Sequence, residues 1–178
     1  MGTILETERL LLREFVPSDA DALALVLSDP ETMKYYPAPI DRDGIQRWIE
    51  RNLRRYAEDG VGLWAMVLKA TGEMLGDCGI IRQHVEGEHL YEIGYHLRRD
   101  HWGQGLATEA AIACREWGLT NLNVDRLISL IRPENVPSRR VAERNGMTIW
   151  KEVDWRGLHH YLYVVKRERA PKLLAQGY

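Results

Sequence analysis

The sequence predicts a single α/β domain (α+β layered), in which helices flank a mixed, mostly antiparallel sheet of about seven strands. Short runs rich in β-branched and aromatic residues are separated by turn signals, and other segments place apolar residues at helical spacing. No repeat, low-complexity tract or Gly/Ser linker divides residues 1–178, and this length is typical of one domain.

A strand is predicted first, over residues 10–15, and two helices follow it. Ser18 has Asp21 three residues later, the spacing of a capping box, which predicts the start of the first helix. Asp41 is the predicted cap of the second helix, in which apolar residues recur at helical spacing before a stop at Gly60.

The rest of the chain alternates strands and helices. The predicted elements are strands over 63–69, 74–82 and 91–97, a helix from Leu106, a strand over 126–131, a helix over 137–144, and a hairpin of strands 149–153 and 158–166. Gly94 interrupts the strand over 91–97, and a glycine in a strand indicates a bulge or a close backbone approach. The predicted order is therefore β-αα-βββ-α-β-α-ββ.

Composition excludes several classes of protein. The chain has 24 Lys and Arg against 26 Asp and Glu, a formal net charge of −2, which argues against a nucleic-acid binder. It has neither a long uncharged apolar run nor a signal-peptide pattern, so we expect a cytoplasmic protein without a membrane partner. Cys78 and Cys114 lie 36 positions apart along the sequence with no C-x-x-C pair, and the histidines show no ligand spacing, so we expect no metal. A homodimer is compatible with this sequence.

The most informative segment is the glycine-rich turn of residues 102–107, W-G-Q-G-L-A, between the strand over 91–97 and the following helix. Glycines let a ligand approach the main chain, and the free amides at a helix start attract anions. The turn is therefore either a phosphate cradle or a tight connection without a ligand. It is neither a P-loop nor a dinucleotide fingerprint, whose third glycine would stand at Thr108.

Three blocks in order resemble the GCN5-related N-acetyltransferase (GNAT) family: E-I-G-Y-H-L, W-G-Q-G-L-A and R-P-E-N-V-P-S-R-R-V-A-E-R-N-G-M. The similarity is strongest to the branch of ribosomal-protein N-terminal acetyltransferases. The family loop has the pattern Q/R-x-x-G-x-G/A, which this chain matches except at Trp102. The resemblance runs from T-E-R-L-L-L-R-E-F to H-H-Y-L-Y-V-V-K-R-E and covers almost the whole chain.

The resemblance implies that acetyl-CoA lies between two splayed central parallel strands, residues 91–97 and 126–131, with a bulge at Ile93 and Gly94 starting the splay. Main-chain groups of the first strand would bind the pantetheine arm, the turn would bind the pyrophosphate, and one of two arginines before the turn would touch phosphate. The residues implied for the cofactor are Tyr95, His96, Leu97, Arg98, Arg99, Trp102, Gly103, Gln104, Gly105, Leu106, Ala107, Thr108, Asn135 and Ser138.

The same resemblance implies two main candidates for acid–base chemistry, Glu92 and Ser138. Glu92 would accept the proton of the substrate ammonium, and its alternative role is an exposed strand carboxylate. Ser138 would protonate the leaving thiolate, and its alternative role is a polar residue in the first turn of a helix. Asn135 is both a predicted helix cap and the implied pantetheine contact. His96 is a further candidate acid–base group or, alternatively, a packing residue.

The resemblance thus implies an acyltransferase that moves an acetyl group from acetyl-CoA to a primary amine by direct attack in a ternary complex. The acceptor is a protein N-terminus or a small-molecule amine, and Tyr35, Tyr36 and Trp48 would lie on its side of the site. The alternative is a non-catalytic module that binds or senses acyl-CoA and lacks working acid–base groups.

Overall fold

In a computed structural model of the protein, which describes residues 2–167, eight strands and four α-helices alternate along the chain. The strands are β1 (Thr3–Glu6), β2 (Leu10–Arg13), β3 (Leu63–Leu68), β4 (Met74–Val85), β5 (Glu88–Leu97), β6 (Arg126–Ile131), β7 (Thr148–Trp155) and β8 (Leu158–Lys166). The helices are α1 (Ala20–Leu27), α2 (Arg42–Asp59), α3 (Leu106–Asn121) and α4 (Val136–Arg144). Within this range, no helix is long and apolar enough to cross a membrane.

All the strands belong to one mixed sheet with the order β1-β2-β3-β4-β5-β6-β8-β7. Every neighbouring pair is antiparallel except β5 and β6, which are parallel. This confirms the predicted fold class. The sequence analysis missed β1, a four-residue edge strand, Thr3–Glu6, that pairs with β2 alone.

The sheet opens between its two parallel strands. β4 and β5 pair from Gly76 with Leu97 to Val85 with Glu88, whereas β5 and β6 share a single register pair, Glu92 with Ile128. The register of β5 on β4 is unbroken through Ile93 and Gly94, so the predicted bulge is wrong for this ladder.

The hydroxyl of Ser129 supplies a hydrogen bond between β6 and β5 where the main chains of the two strands no longer pair. This β6 side chain donates to the Ile93 carbonyl oxygen at 2.7 Å, which satisfies a buried acceptor where the strands diverge. The edge of β5 beyond Gly94 therefore faces a cleft instead of a neighbouring strand.

Helices cover the two faces of the sheet. Side chains alternate across β3, so that Trp64 and Met66 lie in one buried cluster with α3, while Leu63 and Ala65 lie in another with α1 and α2. The helix α4 packs Ala142 against the opened half of the sheet. Both faces of the central strands are therefore buried, and the opening beside β5 lies between the two helical layers.

The predicted helix boundaries hold where a side chain caps the helix. Asp41 accepts a hydrogen bond from Gly44 N at 2.7 Å, and Gly60 ends α2 in the left-handed conformation with φ 70°. The prediction for Ser18 is wrong, because a 3-10 turn precedes α1. Asp19 is the residue that accepts from Val16 N at 2.8 Å, and it also forms an ion pair with Arg13.

Candidate active site

A cleft of about 430 Å³ lies between the glycine-rich turn, α4 and the open edge of β5. Gly103 and Gly105 line it in the left-handed conformation, with φ 77° and 78°, and a Cβ on Gly103 would project into open space. The first intrahelical bond of α3 runs from Glu109 N to Gly105 O at 3.0 Å. The amides of residues 106–108 therefore have no acceptor within the helix, and they form a cradle that fits an anion.

Hydrogen bonds from the connection between β1 and β2 hold the glycine-rich turn in place. The guanidinium of Arg9 donates from Nη1 to the Gln104 carbonyl at 2.8 Å and from Nε to Glu109 at 2.7 Å. Glu109 also accepts from the Thr7 hydroxyl at 2.6 Å. Trp102 lines the cleft and donates from Nε1 to the Leu97 carbonyl at 2.7 Å, so this oxygen is occupied within the protein.

The cations beside the cleft come from α4 and from the loop after α1, and the two arginines before the glycine-rich turn are not among them. Lys34, Arg140 and Arg144 line the cleft. In the described chain Arg98 and Arg99 stand outside this lining: Arg98 pairs with Asp100 at 2.8 Å, and Arg99 approaches Asp29 at 3.8 Å. Gln104 also lies outside the lining, and it meets Arg9 through its carbonyl oxygen.

A second cavity, of about 350 Å³, lies on the other side of β5, between α2 and the β7–β8 hairpin. Residues common to both linings mark where the two cavities meet, and they are Tyr35, Tyr36, Tyr95, His96, Asn135 and Ser138. The acetyl donor and the acceptor of a transfer reaction need such a meeting point, since their reacting atoms must approach within about 3–3.5 Å.

Ser138 is fixed at this junction through both ends of its main chain. Its N–H donates to the Asn135 side chain at 3.2 Å, which confirms Asn135 as the cap of α4. Its carbonyl accepts from the Tyr95 hydroxyl at 2.7 Å, a bond that bridges the open sheet edge to α4. The Ser138 side chain is thereby held on the lining of both cavities.

Glu92 lines the second cavity, and its neighbour Ile93 points into the core. The carboxylate accepts from Gln83 Nε2 at 2.7 Å and from Leu130 N at 3.3 Å. Burial raises the pKa of Glu92 above its ordinary value, although both hydrogen bonds and the charge of Arg55 act in the opposite direction. A carboxylate with a raised pKa beside a cavity is a stronger proton acceptor than one in water.

A buried network that the sequence analysis missed connects α2 to His96. Asp77 is fully buried on β4, where it accepts from Trp48 Nε1 at 3.0 Å and lies 2.7 Å from His96 Nδ1. The other ring nitrogen of His96 lies 2.9 Å from the Tyr36 hydroxyl. We infer that Nδ1 carries a proton toward the carboxylate and that Nε2 accepts from Tyr36.

This network fixes Tyr36 at the junction. Tyr36 is 43% exposed, but the desolvation of its hydroxyl end, together with the charges of Glu92 and Asp77, raises its pKa, so this hydroxyl stays a neutral donor. The side chains of Tyr35, Tyr36 and Trp48 all line the second cavity. Among the residues that the structure describes, no cluster of three or more His, Cys, Asp or Glu is arranged to hold a metal ion.

The chain belongs to the GNAT family, because a family model described as an acetyltransferase (GNAT) domain matches residues 9–148. Among curated relatives, YkkB of Bacillus subtilis (strain 168) is 40% identical over 152 residues, which cover 85% of this chain and 88% of YkkB. The chain is thus an acetyltransferase by family.

Solved structures show the same fold. An acetyltransferase from Agrobacterium tumefaciens str. C58 superimposes with a TM-score of 0.80 at 30% identity, covering 94% of this chain and 95% of that one. RimL, a ribosomal L7/L12 alpha-N-protein acetyltransferase solved in complex with coenzyme A, superimposes with a TM-score of 0.74 at 19% identity, covering 93% and 97%. The likeness to RimL is one of fold.

Proposed function

We propose that this protein is an acetyl-CoA-dependent N-acetyltransferase that acts on a primary amine. The observation that carries the proposal is the meeting of two cavities at Ser138, His96 and Tyr95, one with an anion cradle and the other with a half-buried carboxylate. RimL, which has the same fold, was solved with coenzyme A, and this supports the same ligand here.

The first cavity would hold the cofactor. The free amides of residues 106–108, with Gly103 and Gly105, would bind the pyrophosphate, and Lys34, Arg140 and Arg144 would add positive charge near the phosphates. Acetyl-CoA supplies an acetyl group activated as a thioester. The open edge of β5 from Tyr95 onward offers main-chain groups to the pantetheine arm, as a sheet edge does to an added strand.

The second cavity would hold the acceptor. Glu92 accepts the proton of the incoming ammonium, directly or through one water, because only the free amine is a nucleophile. Ser138 hydrogen-bonds to the departing sulfur and relays to it the proton that the attacking nitrogen loses as the amide forms, so the serine ends as a neutral hydroxyl. The thiol formed has a pKa of about 8.5 by analogy with cysteine. The amine attacks directly, so no side chain of the protein is acylated.

Two measurements separate this enzyme from a module that only binds acyl-CoA. Titration calorimetry with acetyl-CoA reports binding, and release of free thiol in the presence of an amine panel reports transfer. We expect both signals. Tight binding without amine-dependent thiol release from any amine of the panel would support the binding module, and no binding would contradict both hypotheses.

A further inference from the structure

The second cavity carries a strong positive charge on its lining. Arg51, Arg55, Arg132 and Arg156 all contribute to it, and Glu92 is the one carboxylate among the lining residues of the described chain. Arg132 pairs with the nearby Glu134, at 2.5 Å, so its charge is partly neutralised. The other three arginines therefore determine the charge that an acceptor meets.

These three arginines converge from two elements. Arg51 and Arg55 are four residues apart on α2 and share one face of the helix, while Arg156 lies at the tip of the β7–β8 hairpin. Aromatic rings support two of the guanidinium groups. That of Arg51 lies 4.9 Å from the centre of the Trp48 ring, and that of Arg156 lies 4.3 Å from the centre of the Trp155 ring.

Within residues 2–167, no carboxylate forms an ion pair with Arg51, Arg55 or Arg156, and the ion pairs of this range use other arginines. Burial lowers the pKa of Arg51 and of Arg55, and repulsion from neighbouring arginines, including Arg156, lowers them further. The charges of Glu92 and Asp59 offset only part of this lowering of the pKa at Arg55. Unpaired like charges at neighbouring helix positions are destabilising by themselves, so an external anion would relieve a cost in the folded protein.

We propose that the acceptor is an amine that also carries an anionic group, a carboxylate or a phosphate, which Arg51, Arg55 and Arg156 bind while the amine lies against Glu92. The inference rests on the proposed function and names its substrate class. The planar guanidinium fork matches the geometry of carboxylate and phosphate oxygens. A polyamine or an aminoglycoside would bring further positive charge to the same three arginines and is disfavoured.

Matched peptides isolate the charge of the acceptor from its amine. The probes are the dipeptide amides Ala-Glu, Ala-Gln and Ala-Arg, whose reacting amine is the same, assayed by thiol release at saturating acetyl-CoA. We expect kcat/KM for Ala-Glu amide to exceed that for Ala-Gln amide by about tenfold, with Ala-Arg amide lowest. The advantage of Ala-Glu amide should shrink as salt is added.

Further probes identify the source of the anion. Free glutamate and phosphoserine represent small acidic amines, whereas the dipeptide amide represents an acidic protein N-terminus. Spermidine and kanamycin represent polycationic amines. Preference for the free amino acids over the dipeptide amide would indicate a small-molecule acceptor, and the reverse would indicate a protein acceptor; both outcomes support the anion site.

Variants assign the effect to the arginines. Arg55→Gln should remove most of the preference for Ala-Glu amide by raising its KM, and Arg51→Gln should remove a smaller part, because Arg51 is more exposed. The matched control is Arg54→Gln, which removes an exposed charge from the same helix outside the cavity lining and should leave the preference unchanged.

Several results would overturn the inference. These are equal kcat/KM for Ala-Glu and Ala-Gln amides, a preference for spermidine or kanamycin, or the same loss from Arg54→Gln as from Arg55→Gln. If no probe is acetylated, binding of Ala-Glu amide to the CoA-bound protein is followed by tryptophan fluorescence, and its absence at millimolar concentration would also overturn the inference. Failure of acetyl-CoA itself to bind would instead contradict the proposed function.

Discussion

Replacement of Glu92 by Gln tests the proposed base while it preserves the shape of the side chain. An amide at this position can still accept from Leu130 N, and rotation of the Gln83 amide by half a turn restores the other hydrogen bond. The variant should therefore fold. General base catalysis contributes about 10²–10⁴-fold, or roughly 3–5 kcal/mol of barrier, so kcat near neutral pH should fall by that order.

The pH dependence separates the loss of a base from other damage. Because burial raises the pKa of Glu92, the acid limb of kcat/KM in the wild-type protein should lie above the usual range of a glutamate. In Glu92→Gln this limb disappears, and activity should recover partly at higher pH, where more of the amine arrives deprotonated. The acetyl-CoA dissociation constant should stay unchanged.

Stability provides an independent readout of the same group. A raised pKa in the folded protein means that the fold favours the neutral carboxyl, so this contribution is complete below the unfolded pKa of about 4.3 and is lost as pH rises through the folded pKa. A permanently neutral Gln avoids that loss. Glu92→Gln should therefore melt above the wild type at about pH 8, and the difference should vanish near about pH 4.

The matched control for this variant is Glu88→Gln on the same strand, where the carboxylate is exposed and pairs with Arg126 at 3.1 Å. It should leave kcat and its pH profile unchanged. A loss of only a few-fold in Glu92→Gln, with a pH profile like that of the wild type, would refute the base and indicate direct capture of free amine from solution.

Three other variants probe the cradle, the acid and the buried network. Gly105→Glu should abolish acetyl-CoA binding, measured by calorimetry, whereas Gly72→Glu, which has the same backbone strain with φ 73° but lies away from the cleft, should not; equal affinities would refute the cradle. Ser138→Ala should lower kcat more than it raises the acetyl-CoA dissociation constant, and unchanged kcat at saturation would reduce Ser138 to a structural residue. Asp77→Asn leaves one donor, from Trp48 or His96, without its acceptor, so urea denaturation should show a loss of about 1–3 kcal/mol, and unchanged stability would contradict the network.

The parts of the fold that local chemistry decides could be predicted from the sequence. The cap at Asp41, the stop at Gly60 and the glycine turn before α3 each depend on a few neighbouring residues, and the structure has all three. The first helix start was misassigned because Asp19 is held by Arg13, six positions away, a partner that no capping pattern reveals. Strand β1 was missed because four residues at a sheet edge leave little periodicity.

The candidate site could be predicted only where a linear motif describes it. The turn, Asn135 and Ser138 lie in such motifs and line the cleft. The pairing of Asp77 with His96 depends on the register of β4 against β5, which a sequence does not fix, so this network was not predicted. The arginines of the acceptor cavity come from α2 and a distant hairpin, and only the folded chain brings them together.

Initial rates of thiol release, measured while both acetyl-CoA and Ala-Glu amide are varied, test direct transfer in a ternary complex most directly. Mass spectrometry of the peptide identifies the product. The proposed mechanism predicts release that requires the amine, an N-acetylated peptide and intersecting double-reciprocal lines. Parallel lines with a covalently acetylated protein would contradict direct attack, and thiol release that is independent of every amine would contradict amine transfer altogether.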